Sequence, residues 1–146
     1  MLKMRNTFII EIISTLLVIL FTYTAVSKLM DLPVFRDQMH NQEFPKWIAG
    51  ILIMALPPTE IVTAVLLIIP RARLTGLWFS AILLTLFSGY ITLVVAGFYR
   101  RTPCSCGGVL KSMGWNTHLI FNLFFLLLTC FAISICNRGR RNQPKN

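Results

Sequence analysis

Long apolar runs separated by short polar segments set the pattern of this chain. Four of them stand out, at roughly 8–27, 48–69, 74–97 and 116–136. Each approaches or exceeds the ~20 residues with which a helix spans a hydrocarbon core. Inside lipid the backbone must bond to itself, and the third and fourth runs carry no strand punctuation, so the runs read as helices. No internal repeat interrupts them. The pattern predicts an all-α membrane protein, a single domain over residues 1–146 built as a four-transmembrane-helix bundle with a short outer loop rich in cysteine. The first run has Lys3 and Arg5 ahead of it and Ala25-Val26-Ser27 near its end, which are features of a cleavable leader. Its length, and the Lys28 and Asp31 that follow, favour a retained span instead.

Composition reinforces this reading. Hydrophobic residues make up 55% of the chain and charged residues 13%, whereas a soluble domain carries about 25% charge. So few charges cannot cover a water-facing surface. The formal net charge of +9 would suggest nucleic acid in a soluble protein. Here the cations flank apolar runs and there is no basic-aromatic platform, so nucleic acid is excluded and the lipid bilayer is the partner. With four spans both termini share a side. Lys3, Arg5, Arg71, Arg73, Arg138, Arg140, Arg141 and Lys145 fall on it in short segments. Lys28, Arg36, Lys46, Arg100, Arg101 and Lys111 fall on the other, over longer loops. The positive-inside rule then predicts a multi-pass protein of the bacterial cytoplasmic (inner) membrane, with both termini cytoplasmic and the cysteine loop periplasmic. Trp47 and Trp115 at the outer interface, Trp78 at the inner one and Tyr99 at the end of the third span suit the aromatic belts of such a topology.

Polar residues inside the spans predict how they pack. In the third span Ala81, Thr85, Ser88, Thr92 and Ala96 form a stripe of small residues, expected to be a packing seam. In the first, Glu11, Thr15 and Thr22 share a face, with Glu11 near enough to the cytoplasmic end to reach water. Glu60 lies near the middle of the second span, where a carboxylate must be protonated, paired or beside a polar cavity. Pro57-Pro58 just before it removes backbone donors and is expected to bend or interrupt the helix. In the fourth span Trp115, His118 and Asn122, continued by Thr129 and Cys136, form a polar stripe that should face the bundle. Cys130 and Cys136 lie too deep for a relay to the loop, and apolar packing is expected of both. Between the first two spans, Phe35, Met39 and Phe44 are expected to face lipid while Arg36, Asp37, Gln38 and Asn41 face water. The tail from Asn137 is basic and polar, and disorder is expected there.

The loop Cys104-Ser105-Cys106-Gly107-Gly108 carries the most specific chemistry. Two thiols one residue apart follow two cations, Arg100 and Arg101, which favour the thiolate. Pro103 stiffens the approach, and the glycines leave room for another backbone. A bond between Cys104 and Cys106 closes a small ring, and disulfides outside relaxed geometry are more readily reduced. Three readings remain open: a redox pair exchanging with a partner, a metal site with His118 or His40, and a static staple. Metal sites usually use two spaced cysteine pairs, so none is assigned here.

These residues resemble known families. Ser27-Lys28-Leu29-Met30-Asp31 with Phe35, then Leu56-Pro57 and Glu60, resembles the DoxX-like membrane proteins. The stretch from Leu77 to Gly108, with Ser80, Phe87, Gly89, Tyr90 and the Cys-x-Cys-Gly-Gly loop, together with Trp115-x-x-His118-x-x-x-Asn122, resembles the methylamine utilisation protein MauE family and its redox-associated relatives. The resemblance covers nearly the whole chain and implies a four-helix membrane bundle. It also implies a role in maturing the disulfide-rich exported subunit of methylamine dehydrogenase, alongside an exported thioredoxin-like protein or its substrate. By position, it makes Cys104 and Cys106 the redox pair, Trp115, His118 and Asn122 the adjoining polar face, and Glu60 the acid of the second span. The chain differs from quinone-linked disulfide-forming enzymes in lacking a second outward cysteine pair. An electron-passing partner protein therefore fits it better than an autonomous oxidase.

The resulting expectation is a membrane component of thiol–disulfide exchange. Cys104, Cys106 and His118 would be its catalytic residues, and Arg100, Arg101, Glu60, Trp115 and Asn122 its supporting ones. No cofactor is assigned; a quinone, if one takes part, would bind beneath the loop near Trp115, His118 and Asn122. The alternatives are a non-catalytic membrane assembly factor and a small transporter with Glu60 on its pathway.

Overall fold

The computed structural model describes residues 2–41, 45–98 and 114–141. Its elements are α1 (Leu2–Met30), α2 (Leu32–His40), α3 (Lys46–Ile68), α4 (Arg73–Val95) and α5 (Trp115–Arg141). Among the described residues there are helices and turns and no strand. The long helices contain four stretches apolar enough to cross a membrane, at Asn6–Met30, Lys46–Ile68, Arg73–Val95 and Asn116–Gly139. Each packs on the next around a ring, α1 on α3, α3 on α4, α4 on α5 and α5 back on α1. The core at the turn between α3 and α4 joins Ile13, Leu17 and Phe21 of α1 to Leu67, Leu77, Leu84 and Ile133. Outside it large apolar side chains such as Ile19, Met54, Leu86 and Leu127 are exposed, as suits a surface solvated by lipid tails.

The turn between α3 and α4 is tight because of Gly76. A Cβ there would lie 2.8 Å from the Leu67 backbone nitrogen, closer than real atoms approach. Its missing side chain lets the two helices meet at their shared end. Buried Ser80 and Ala81 continue this close face, and Ser80 Oγ donates to the Gly76 carbonyl at 2.8 Å. The far end of α4 closes differently. Gly97 has φ +72°, its amide bonds to the Val94 carbonyl, and the Phe98 amide bonds to the Leu93 carbonyl. These are the paired bonds of a Schellman cap, which needs a residue that tolerates the left-handed region.

Several sequence expectations change here. The seam of α4 is rotated from the stripe expected at Ala81, Thr85, Ser88, Thr92 and Ala96. Ala81 and Ser88 are buried, with Leu77, Leu84 and Ile91, but Thr85, Thr92 and Ala96 are exposed. The physical reason is local. Thr85 and Thr92 hydroxyls donate to the Ala81 and Ser88 carbonyls, each at 2.7 Å, so they need no partner across the bundle and tolerate lipid. Pro57-Pro58 does not interrupt α3, which runs on through both. Phe35 and Met39 do not face lipid. They are 2% and 5% exposed and pack with Ala49 and Leu56, while Arg36, Asp37 and Asn41 are exposed and Gln38 is buried. A nine-residue α2 beginning Leu32-Pro33 thus folds its apolar side onto α3, where side-chain packing outweighs the interface. Phe44 lies outside the described residues. Glu11 is exposed as expected, 3.9 Å from Arg73. Cys136 packs against the core, and Cys130 lies on the outer face of the bundle.

Candidate functional site

The centre of the bundle is polar at one level. On α1 the buried positions Leu17, Phe21, Ala25 and Lys28 recur at helical spacing, so the stripe that builds the core ends in a cation. On α3, Glu60 falls on the buried face with Leu56, Thr63, Ala64 and Leu67. The two meet. Lys28 Nζ donates to Glu60 Oε1 at 2.6 Å, and the side chains are 5% and 1% exposed. Lys28 Nζ also lies 3.5 Å from the Thr24 carbonyl and 6.0 Å from the centre of the Phe35 ring. Lys28 is thus not a loop cation of the outer surface, as the charge count assumes. The apolar surroundings of α1 pull it inward, and the carboxylate opposite makes that tolerable.

On α5 the residues His118 and Asn122 are one turn apart, and both are buried, at 8% and 6% exposed. Thr129 continues their face and is fully buried, its hydroxyl donating to the Phe125 carbonyl at 2.7 Å. A cavity of about 70 Å³ collects His118 and Asn122 with the Lys28–Glu60 pair. Its polar wall is Thr24 and Lys28 from α1, Glu60 from α3, Tyr90 from α4, and His118 and Asn122 from α5; leucine, isoleucine and phenylalanine side chains line the rest. Two buried polar atoms among these residues have no protein partner, Glu60 Oε2 and His118 Nδ1.

Of the expected site residues, then, the fold brings Glu60, His118 and Asn122 to one cavity. Trp115 opens α5, one turn before His118. Arg100, Arg101, Cys104 and Cys106 lie outside the described residues. Lys28 is the member that sequence reasoning missed, although its spacing from Leu17, Phe21 and Ala25 is the available signal. Tyr90 entered only through the resemblance and is now a wall residue. Among the described residues no group of three or more His, Cys, Asp or Glu is placed to hold a metal ion.

The size of the cavity bounds its chemistry. Ligand pockets usually measure ~300–1,000 Å³, and an apolar cavity that takes up benzene measures about 150 Å³. A volume of about 70 Å³ has room for a few water-sized molecules among the described residues. The position expected for a quinone adjoins the cysteine loop, which lies outside the described residues.

Four membrane-length helices closed around a buried ion pair define a multi-pass α-helical membrane protein. Within that class, the chain belongs to the family of the methylamine utilisation protein MauE, whose match runs over residues 6–135, from the start of the first span into the last. No curated protein and no solved structure shows significant similarity to it.

Proposed function

We propose that this chain is a membrane component of thiol–disulfide exchange that serves an exported partner, in the setting of methylamine utilisation that the family's name indicates. The observation that carries this reading is the sequence of the connection between α4 and α5. It places Cys104 and Cys106 one residue apart, after Arg100-Arg101 and before Gly107-Gly108, in a chain of that family.

In the proposed exchange a partner thiolate attacks one sulfur of the Cys104–Cys106 disulfide. A mixed disulfide forms, and the other sulfur leaves as a thiolate that Arg100 and Arg101 favour. A second partner thiolate then attacks the mixed disulfide. The partner leaves with a new disulfide, having lost two electrons and two protons, and the Cys104 and Cys106 pair has gained them. His118 hands on a proton, and Trp115, Asn122 and Glu60 support it within the bundle. The partner is an exported thioredoxin-like protein or its substrate, which requires the loop to face the periplasm and both termini the cytoplasm of an inner-membrane protein.

The test is trapping in intact cells. A Cys106→Ser variant should accumulate a reducible adduct between Cys104 and an exported protein, and Cys104→Ser/Cys106→Ser should form none. If the double variant supports partner oxidation at the wild-type rate, the reading fails.

A further inference from the structure

The cavity holds two unpaired polar atoms, on the residue that hands on a proton in the proposed exchange and on one that supports it. Glu60 Oε2 and His118 Nδ1 are both buried without a protein partner, on residues 1% and 8% exposed that line one cavity. A buried acceptor or donor left unpaired forfeits its full solvation, so two of them on a shared wall indicate a bound species that bonds to both. That species must be small. One water needs about 10–15 Å³ of such space, so about 70 Å³ has room for a few waters. It must also satisfy an anion, a cation and an imidazole at once, since Lys28 Nζ stands 2.6 Å from the other oxygen of Glu60. Water does this, being both donor and acceptor. A purely apolar molecule would leave both atoms unpaired.

We propose that this cavity is an internal proton-exchange site in which a cluster of ordered waters bridges Glu60 Oε2 to His118 Nδ1. A proton taken up on the His118 ring passes along the waters to the Glu60 carboxylate. The Nδ1–H bond breaks, an O–H bond forms on Glu60, each water ends as it began, and imidazolium plus carboxylate become imidazole plus carboxylic acid. No oxidant or reductant takes part. His118 is the entry member, since it lies in the first turn of α5. Among the described residues, the titratable groups facing the waters are Lys28 from α1, Glu60 from α3, Tyr90 from α4 and His118 from α5. The side chains that α2 buries are Phe35, Gln38 and Met39, none of which titrates. The proposal does not depend on the cysteines.

Solid-state NMR of the full chain in lipid vesicles, with labelled histidine and glutamate, tests it. The chain has two histidines, and a His40→Gln variant assigns the His118 ring. Magnetisation started on water should reach the buried His118 ring nitrogens and the Glu60 carboxyl carbon severalfold faster than it reaches fully buried Leu17. From about pH 5 to pH 8 the two signals should move in one coupled transition. Glu60→Gln should uncouple His118 from that transition and lower the water transfer to its ring. Because Glu60→Gln leaves Lys28 unpaired, Lys28→Met/Glu60→Gln is the companion variant, and it should show the same loss in a folded bundle. Transfer from lipid acyl protons in place of water, or no transfer at all, overturns the hydrated site. Independent titration of Glu60 and His118 in the wild type overturns the exchange between them.

Discussion

Removing one partner of the Lys28–Glu60 pair should harm the bundle far more than removing both. The structure sets the size of the effect. The two charges are 2.6 Å apart and at most 5% exposed, so neither keeps its bulk hydration. The ammonium has the Thr24 carbonyl at 3.5 Å as a second acceptor, whereas Glu60 Oε2 has no protein donor. In soluble proteins, breaking such a pair costs about 3–5 kcal/mol, because the surviving charge stays buried and unpaired. In a bilayer the separated helices also find polar partners, which trims the difference, so Lys28→Met should cost about 3 kcal/mol. The double variant Lys28→Met/Glu60→Met keeps the side-chain volumes, removes both desolvation costs, and should fall within about 1 kcal/mol of wild type. The assay is unfolding of the detergent-solubilised protein by increasing mole fraction of SDS, followed by tryptophan fluorescence. Of the three tryptophans, Trp47 and Trp78 are exposed on the outside of the bundle. If the double variant is as unstable as Lys28→Met, the pair's attraction exceeds its desolvation and the reasoning is wrong.

Other outcomes follow from the packing. Gly76→Ala should destabilise by about 1–3 kcal/mol in the same SDS assay, because its Cβ meets backbone that has no room to shift; an unchanged midpoint would mean that the α3–α4 turn is loose. Gly97→Ala should cost about 1 kcal/mol at the φ of +72°, by the same measure, whereas Gly89→Ala, with open space at its Cβ, should not cost stability. Phe35→Ala should free α2 from α3, read as faster amide hydrogen exchange over residues 32–40 with little change in α5. An impermeant maleimide added to intact cells should label Cys104 or Cys106 once the pair is reduced; labelling only after lysis would put the loop on the cytoplasmic side.

The class of protein was legible in the chain. Apolar run length, sparse charge and the need of a lipid-embedded backbone to bond to itself left helices as the one economical reading, and four membrane-length helices are present. The inward face of α5 was legible too, because His118, Asn122 and Thr129 recur at helical spacing and all are buried. The rotation of the α4 seam was not, since a threonine that bonds its own helix looks, in sequence, like one that seeks a partner. Nor was the inward turn of α2, where Phe35 and Met39 had lipid and protein as equally apolar destinations. Above all, the partner of Glu60 depended on the tertiary structure. Lys28 and Glu60 are 32 residues apart, on helices whose relative rotation and depth no local pattern encodes. Periodicity determines which side of one helix turns inward. Only the packing of helix against helix determines which polar group on one side meets which on the other, because that is settled by the best joint fit of all the side chains between them.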